Sequence, residues 1–192
     1  IVLIFDEVYS GWGKTGNIFF FMEKNVNPDI VAYSKSFGGG KASISGYTTR
    51  ERFYRKAYDR ISDTMIHSTT YNAFGEECVT AIEAINIIID EKLPEKAKHI
   101  HELMKFGLTE LKNKYPEIIS EVRGAGALNG VMLNVDFNSA IKKAISFIPV
   151  DLFKDPAFFS KLFGTAIISE LYNSHNVLVS LGQNRDVPMV FS

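Results

Sequence analysis

The chain has 192 residues, 46% of them hydrophobic and 22% charged, a composition that supplies enough apolar surface for a globular core. Its 21 basic and 22 acidic residues are scattered and leave a formal charge of -1, so there is no basic stripe for a nucleic-acid backbone. A single cysteine, Cys78, excludes an internal disulfide or a cysteine metal cluster and points to a reducing compartment, read here as cytoplasm.

The first residues, IVLIF, form a short unbroken apolar run of the kind expected for a strand covered on both faces in a parallel sheet. They lack the basic start and cleavage site of a signal peptide. No apolar run reaches the roughly 18 residues that span a bilayer, since AINIII stops at DEK. A start in mid-strand without methionine and an end at VPMVFS, another strand-like run, read as a fragment cut at both ends. Asp6 and Glu7 close the first strand, where ligands of open α/β sheets bind. The loop SGWGKTGN follows, then Pro28 blocks a helix and DIVAYS reads as a second strand with Lys35 at its end. ASISGYTT alternates as a third strand, and RERFYRKAYDR reads as a short charged helix.

From Gly75 to Glu91 the apolar residues recur at helical spacing, and LPEKAKHIHELMKFGLTELKNKY continues as a second amphipathic helix opened by Pro94. EVRGAGALNGVMLNVDF reads as a glycine-marked turn leading into an alternating strand. The remainder is helical and rich in phenylalanine from Phe147 to Phe163, before a last strand at NVLVSL. The fold class expected is α/β, mostly parallel sheet with helices, followed by a smaller α+β domain. Residues 1–92 are assigned to a large domain, and 93–192 to a linking helix and a small, truncated C-terminal domain.

A lysine at the end of a buried strand is desolvated, which favours the neutral, nucleophilic amine and Schiff-base chemistry. Pyridoxal phosphate is the usual partner, and a buried carboxylate, for which Asp6 is placed, keeps its pyridine nitrogen protonated. Val8, two positions on, suits the face of a flat ring. Each feature also has a plain structural reading: an aspartate caps a turn, a lysine is solvated, a glycine run is a flexible loop. Their combination is more specific than any of them.

The stretch LIFDEVYSGWGKTGNIFFFMEKNVNPDIVAYSKSFGGG resembles the core of the class III aminotransferases, fold type I pyridoxal phosphate enzymes. The matching residues are Asp6, Glu7 and Val8, then Gly11, Gly13, Thr15 and Gly16, then Pro28, Asp29 and Ile30, and finally Lys35 with Gly38 to Gly40. Lys14 replaces the family's arginine. The resemblance implies a homodimer that moves an amino group between an amino acid or amine donor and an oxo acid or aldehyde. In it Lys35 is the catalytic Schiff-base lysine, Asp6 pairs with the pyridinium, and Val8 packs on the ring. Tyr9 stands where many members have a glutamine that contacts the cofactor's phenolic oxygen. HSTTYNAFGEEC resembles the family's phosphate-binding segment, which makes Thr70 the residue that reaches the cofactor phosphate across the dimer interface.

VRGAGAL resembles the motif that opens the small domain, where Arg123 is structural. Arg185 is the nearest arginine to the family's carboxylate-gripping position. The family's members are about twice this length and hold the phosphate cup in their N-terminal half, so the isolated chain is expected to bind cofactor feebly and to be inactive. His99 and His101 point to different sides of one helix and no metal is expected. Aminomutation or racemisation on the same fold is the nearest alternative. A non-catalytic oligomerisation module is the alternative from another class, and a nucleotide-binding sheet is disfavoured because no glycine motif opens a helix.

Overall fold

The computed structural model describes residues 1–134, 156–182 and 189–192, with the backbone alone for 156–160. The phenylalanine-rich residues before Pro156 and Arg185 lie outside them. The chain falls into two compact units, Ile1–Lys98 and His99–Ser192.

In the first unit, β1 (Ile4–Asp6) lies parallel to β2 (Ile30–Tyr33), with Ile4 opposite Ile30 and Asp6 opposite Ala32. β3 (Gly46–Thr49) runs antiparallel on the other side of β2, with Tyr33 opposite Gly46. A parallel pair needs a long crossover, and residues 7–29 provide it. The order β1-β2-β3 leaves β1 at an edge. Among the described residues nothing pairs with the other side of β1, and Ile1, Val2, Leu3 and Ile4 are exposed. β3 is also shorter than its alternating pattern predicts, beginning only at Gly46.

Two carboxylates fasten these strands. Glu7 is 1% exposed; its amide donates to the Ala32 carbonyl at 2.8 Å and so extends the ladder one step past Asp6. Its carboxylate accepts from the Phe21 amide at 2.9 Å and from the Ser10 hydroxyl. A buried acid is tolerated because these donors replace water.

Asp29 does similar work at the other end of the strands. One of its oxygens accepts from the Leu3 amide at 3.0 Å, and the other faces Arg52 at 2.6 Å and Arg50 at 3.3 Å. The Leu3 amide above all, with the two guanidiniums, holds its carboxyl below the ordinary value of 3.8 against the opposing effect of burial. A carboxyl whose pKa is lowered by folding stabilises the fold above its unfolded value and loses that contribution as pH falls through the folded one. The unfolding midpoint of the wild type should therefore exceed that of Asp29→Asn at neutral pH, and the gap should close as the pH is taken below 3.8. A gap that stays constant over that range would contradict this account.

α1 (Glu51–Ala57) is a short exposed helix braced by the Glu51–Arg55 pair. α2 (Gly75–Asp90) buries Ala81, Ala84 and Ile88 at helical spacing, the stripe its sequence predicts. It packs on a 3-10 turn, Lys35–Gly38, whose continuation at Gly39 brings a backbone so near that an added Cβ would sit 3.0 Å from the Cβ of Ala84. Gly39 is thus a close-packing position in a left-handed turn at φ +60, and Gly40 follows at φ +72 with open space where a Cβ would be. α3 (Leu93–Lys114) starts against the glycine loop, where Pro94 lies 3.4 Å from the position of a Cβ on Gly13.

The second unit is a four-stranded antiparallel sheet of order β4-β5-β7-β6, made by β4 (Ile119–Ala125), β5 (Leu128–Leu133), β6 (Ser180–Leu181) and β7 (Met189–Phe191). The later part of α3 and α4 (Pro156–His175) contribute to its core, which centres on Leu108, Val131, Val179 and Met189 with Met104, Ile167 and Leu171 around them. The glycine-marked stretch is a hairpin, not a turn before one strand. Gly124 lies inside β4, where a Cβ would come 2.5 Å from Asn129 Oδ1. The reversal falls on Gly126 and Ala127, with Gly126 at φ +57, as a two-residue hairpin with glycine first requires. Arg123 pairs with Glu121 at 3.2 Å on an exposed face.

Candidate active site

Because β1 and β2 are parallel, their carboxyl ends lie side by side, and the residues that follow each strand meet at one end of the sheet. Asp6 ends β1 opposite Ala32 and is exposed, which corrects the expectation of a buried carboxylate. Its Oδ1 accepts from the Val8 amide at 3.0 Å, a local turn that fixes the carboxylate where the chain leaves the sheet. Lys35 stands two residues past the end of β2 and is the first residue of the 3-10 turn, at φ +49. A side chain in that left-handed region costs on the order of 1–3 kcal/mol and is held only by its surroundings. Here Ser34 donates its hydroxyl to the Ile44 carbonyl at 2.9 Å, and Trp12 stacks on Phe37 at 4.8 Å with an interplanar angle of 13°. Tyr33 meets both rings edge-on.

Lys35 is exposed, which corrects the expectation of a desolvated amine: the turn carries it beyond the last paired residue of β2, off the sheet. Its Nζ lies 4.2 Å from the centroid of the Tyr9 ring, and Lys14 Nζ lies 4.8 Å from the same ring. An aromatic face attracts a cation at such distances, so Tyr9 holds the lysine that the sequence singles out. The loop Gly11–Gly16 has a packing role: Thr15 is buried with its hydroxyl on the Ser10 carbonyl at 3.2 Å, and Gly13 and Gly16 take φ +91 and +95 against α3.

A cavity of ≈ 1210 Å³ opens beside these strand ends. Its wall comprises Val8, residues of β2 and the following turn including Tyr33 and Phe37, the Ser43–Tyr47 segment, and His67 to Cys78 in part. Of the five residues singled out in the sequence, Val8 is on this wall; Asp6, Tyr9 and Lys35 stand at the adjoining strand ends. Thr70 is exposed, while its neighbours Thr69 and Tyr71 line the cavity. Sequence reasoning gave no role to Glu77, His67 or Phe37. Glu77 lies in a run that reads simply as the opening of a helix, and nothing in that pattern marks which acid faces inward. Among the described residues no group of three or more histidines, cysteines or acids is placed to hold a metal.

Comparison with known proteins agrees with this architecture. The chain superposes on a transaminase from the marine bacterium Virgibacillus with a TM-score of 0.78 at 23% identity, covering 100% of this chain and 40% of that one. It superposes on the ornithine aminotransferase of Toxoplasma gondii ME49 with a TM-score of 0.70 at 26% identity, covering 100% and 38%. For the acetylornithine aminotransferase of Elizabethkingia anophelis the TM-score is 0.69 at 21% identity, covering 100% and 40%. Another structure of the Toxoplasma enzyme shows partial occupancy of PLP at its active site. The chain thus spans about two fifths of the length of the structures it matches. The family model for class-III aminotransferases matches residues 1–161, and with a parallel strand pair ending in Asp6 and leading to Lys35, this chain belongs to the class-III aminotransferase family.

Proposed function

We propose that this chain serves pyridoxal phosphate-dependent transamination within a protein of its relatives' length, moving an amino group from an amino acid or amine to an oxo acid or aldehyde. The observation that carries the reading is the placement of Asp6 at the end of one strand and Lys35 just past the end of its parallel neighbour, with Val8 on the wall of the cavity beside them. Pyridoxal phosphate, when bound, supplies an aldehyde that condenses with amines and a ring that accepts electrons while its nitrogen is protonated. The residues present fit that group chemically, for they offer a primary amine, a carboxylate and an apolar wall.

In this reading Lys35 Nζ is the reacting amine and afterwards carries protons at the substrate carbon. Asp6, already fixed by the Val8 amide, holds a proton on the ring nitrogen. Val8, on the cavity wall, would pack against the ring. Tyr9 keeps Lys35 Nζ near its aromatic face and would serve the cofactor's phenolic oxygen. Thr70, exposed on its turn, serves the phosphate of a partner subunit, which makes the working form a homodimer. Residues 1–92 belong to the cofactor-binding domain and 93–192 to the linking helix and small domain, and the setting is cytoplasmic.

The test compares the 192-residue chain with a protein of its relatives' length that contains it. The longer protein, given pyridoxal phosphate, an amine donor and a 2-oxo acid, should form both the oxo product of the donor and the new amino acid. Formation of a single isomerised product from one substrate would replace the reading by aminomutation or racemisation, and failure of the longer protein to retain the cofactor would refute it.

A further inference from the structure

Among the described residues that line the cavity, Glu77 is the one acid, and none is a lysine or arginine. Its Oε2 is closed off from solvent, and among the described residues it accepts no hydrogen bond and its carboxylate takes part in no ion pair. An acid in the first turn of a helix complements the helix dipole, and that accounts for Glu76, which is exposed and off the wall. It does not account for a carboxylate oxygen withdrawn from water with no donor, an arrangement that is unfavourable until a donor arrives. The helix carrying Glu77 packs on the turn that begins with Lys35, through Ala84 and Gly39, and Phe37 of that turn lines the same cavity. The acid and the turn that presents the reacting amine therefore border one space. The rest of the described wall mixes aromatic side chains, Tyr33, Tyr47 and Phe74 among them, with polar ones such as His67, Thr69 and Asn72; the aromatic part suits an alkyl chain, and no lysine or arginine is there for a second carboxylate.

We propose that Glu77 is a specificity-determining residue of this site, binding through its carboxylate the distal ammonium of an amino donor that carries two basic groups, as a diaminoalkane does. This rests on the transamination reading for the fate of the substrate, but the binding itself does not require the cofactor. An ammonium brings three donors to a carboxylate, and a charge-assisted bond of this kind in a partly closed cavity discriminates against a neutral tail by about tenfold or more.

The full chain is titrated calorimetrically at low salt with 1,4-diaminobutane and with butylamine, and the same pair is then offered as amino donors to the cofactor-loaded protein. The wild type should prefer the diamine by about tenfold in binding and in kcat/KM. Glu77→Gln, which keeps the shape and removes the charge, should collapse that preference to within about twofold, and Glu77→Lys should turn it toward 4-aminobutanoate. Far-UV circular dichroism confirms that both variants are folded. A wild type without the preference, or a Glu77→Gln variant that retains it, overturns the assignment. Turnover with unaltered selectivity would refute the Glu77 site and keep transamination, whereas a charge-dependent binding preference without turnover of any amine would keep the site and refute transamination.

Discussion

Replacing Lys35 by alanine in the cofactor-loaded protein is expected to lower amine turnover by about 1,000-fold or more, because the group lost acts both as nucleophile and as proton carrier. The cofactor should then wash out after borohydride treatment, where in the wild type it stays covalently attached. Lys35→Arg separates chemistry from charge. It keeps a cation over the Tyr9 ring, now at 4.2 Å from Lys35 Nζ, but a guanidinium cannot give up its proton at working pH. Both variants should fold, because Lys35 is exposed and surface changes of this kind shift stability by only about 0.5 kcal/mol. An alanine variant within tenfold of the wild type would remove Lys35 from the mechanism.

Asp6→Asn is the next largest. Asparagine still offers an oxygen to the Val8 amide, which Asp6 meets at 3.0 Å, so the turn at the strand end should survive. What disappears is the negative charge that keeps a ring nitrogen protonated. That loss predicts a fall in turnover of about 100-fold or more and faster loss of cofactor on dialysis. A variant within about threefold of the wild type would show that Asp6 only caps the strand.

Much of this layout can be read from residue order alone, and the limits have physical causes. The helical spacing from Gly75 to Glu91 is strong and unbroken, and α2 spans Gly75–Asp90. Pro94 marks the start of α3, where a missing amide hydrogen does no harm. Apolar runs locate β1 and β2, but a run carries no information on how many neighbours a strand has. Gly124 misled because a glycine that lets two backbones approach looks, in sequence, like one that turns a chain.

The site shows the same division. Asp6 and Lys35 are legible as polar residues ending apolar runs, yet their proximity depends on the parallel pairing of Asp6 with Ala32, a long-range fact. The exposure of Lys35 and the unpaired oxygen of Glu77 depend on side-chain directions that neither composition nor periodicity encodes.

The stacking of Trp12 on Phe37 has a practical side. Trp12 is the only tryptophan in the chain, and Phe37 belongs to the turn that begins at Lys35 and also lines the cavity. The protein therefore carries its own optical reporter: whatever enters the cavity and disturbs that ring changes the emission of a single fluorophore, so occupancy can be followed in solution without attaching a label.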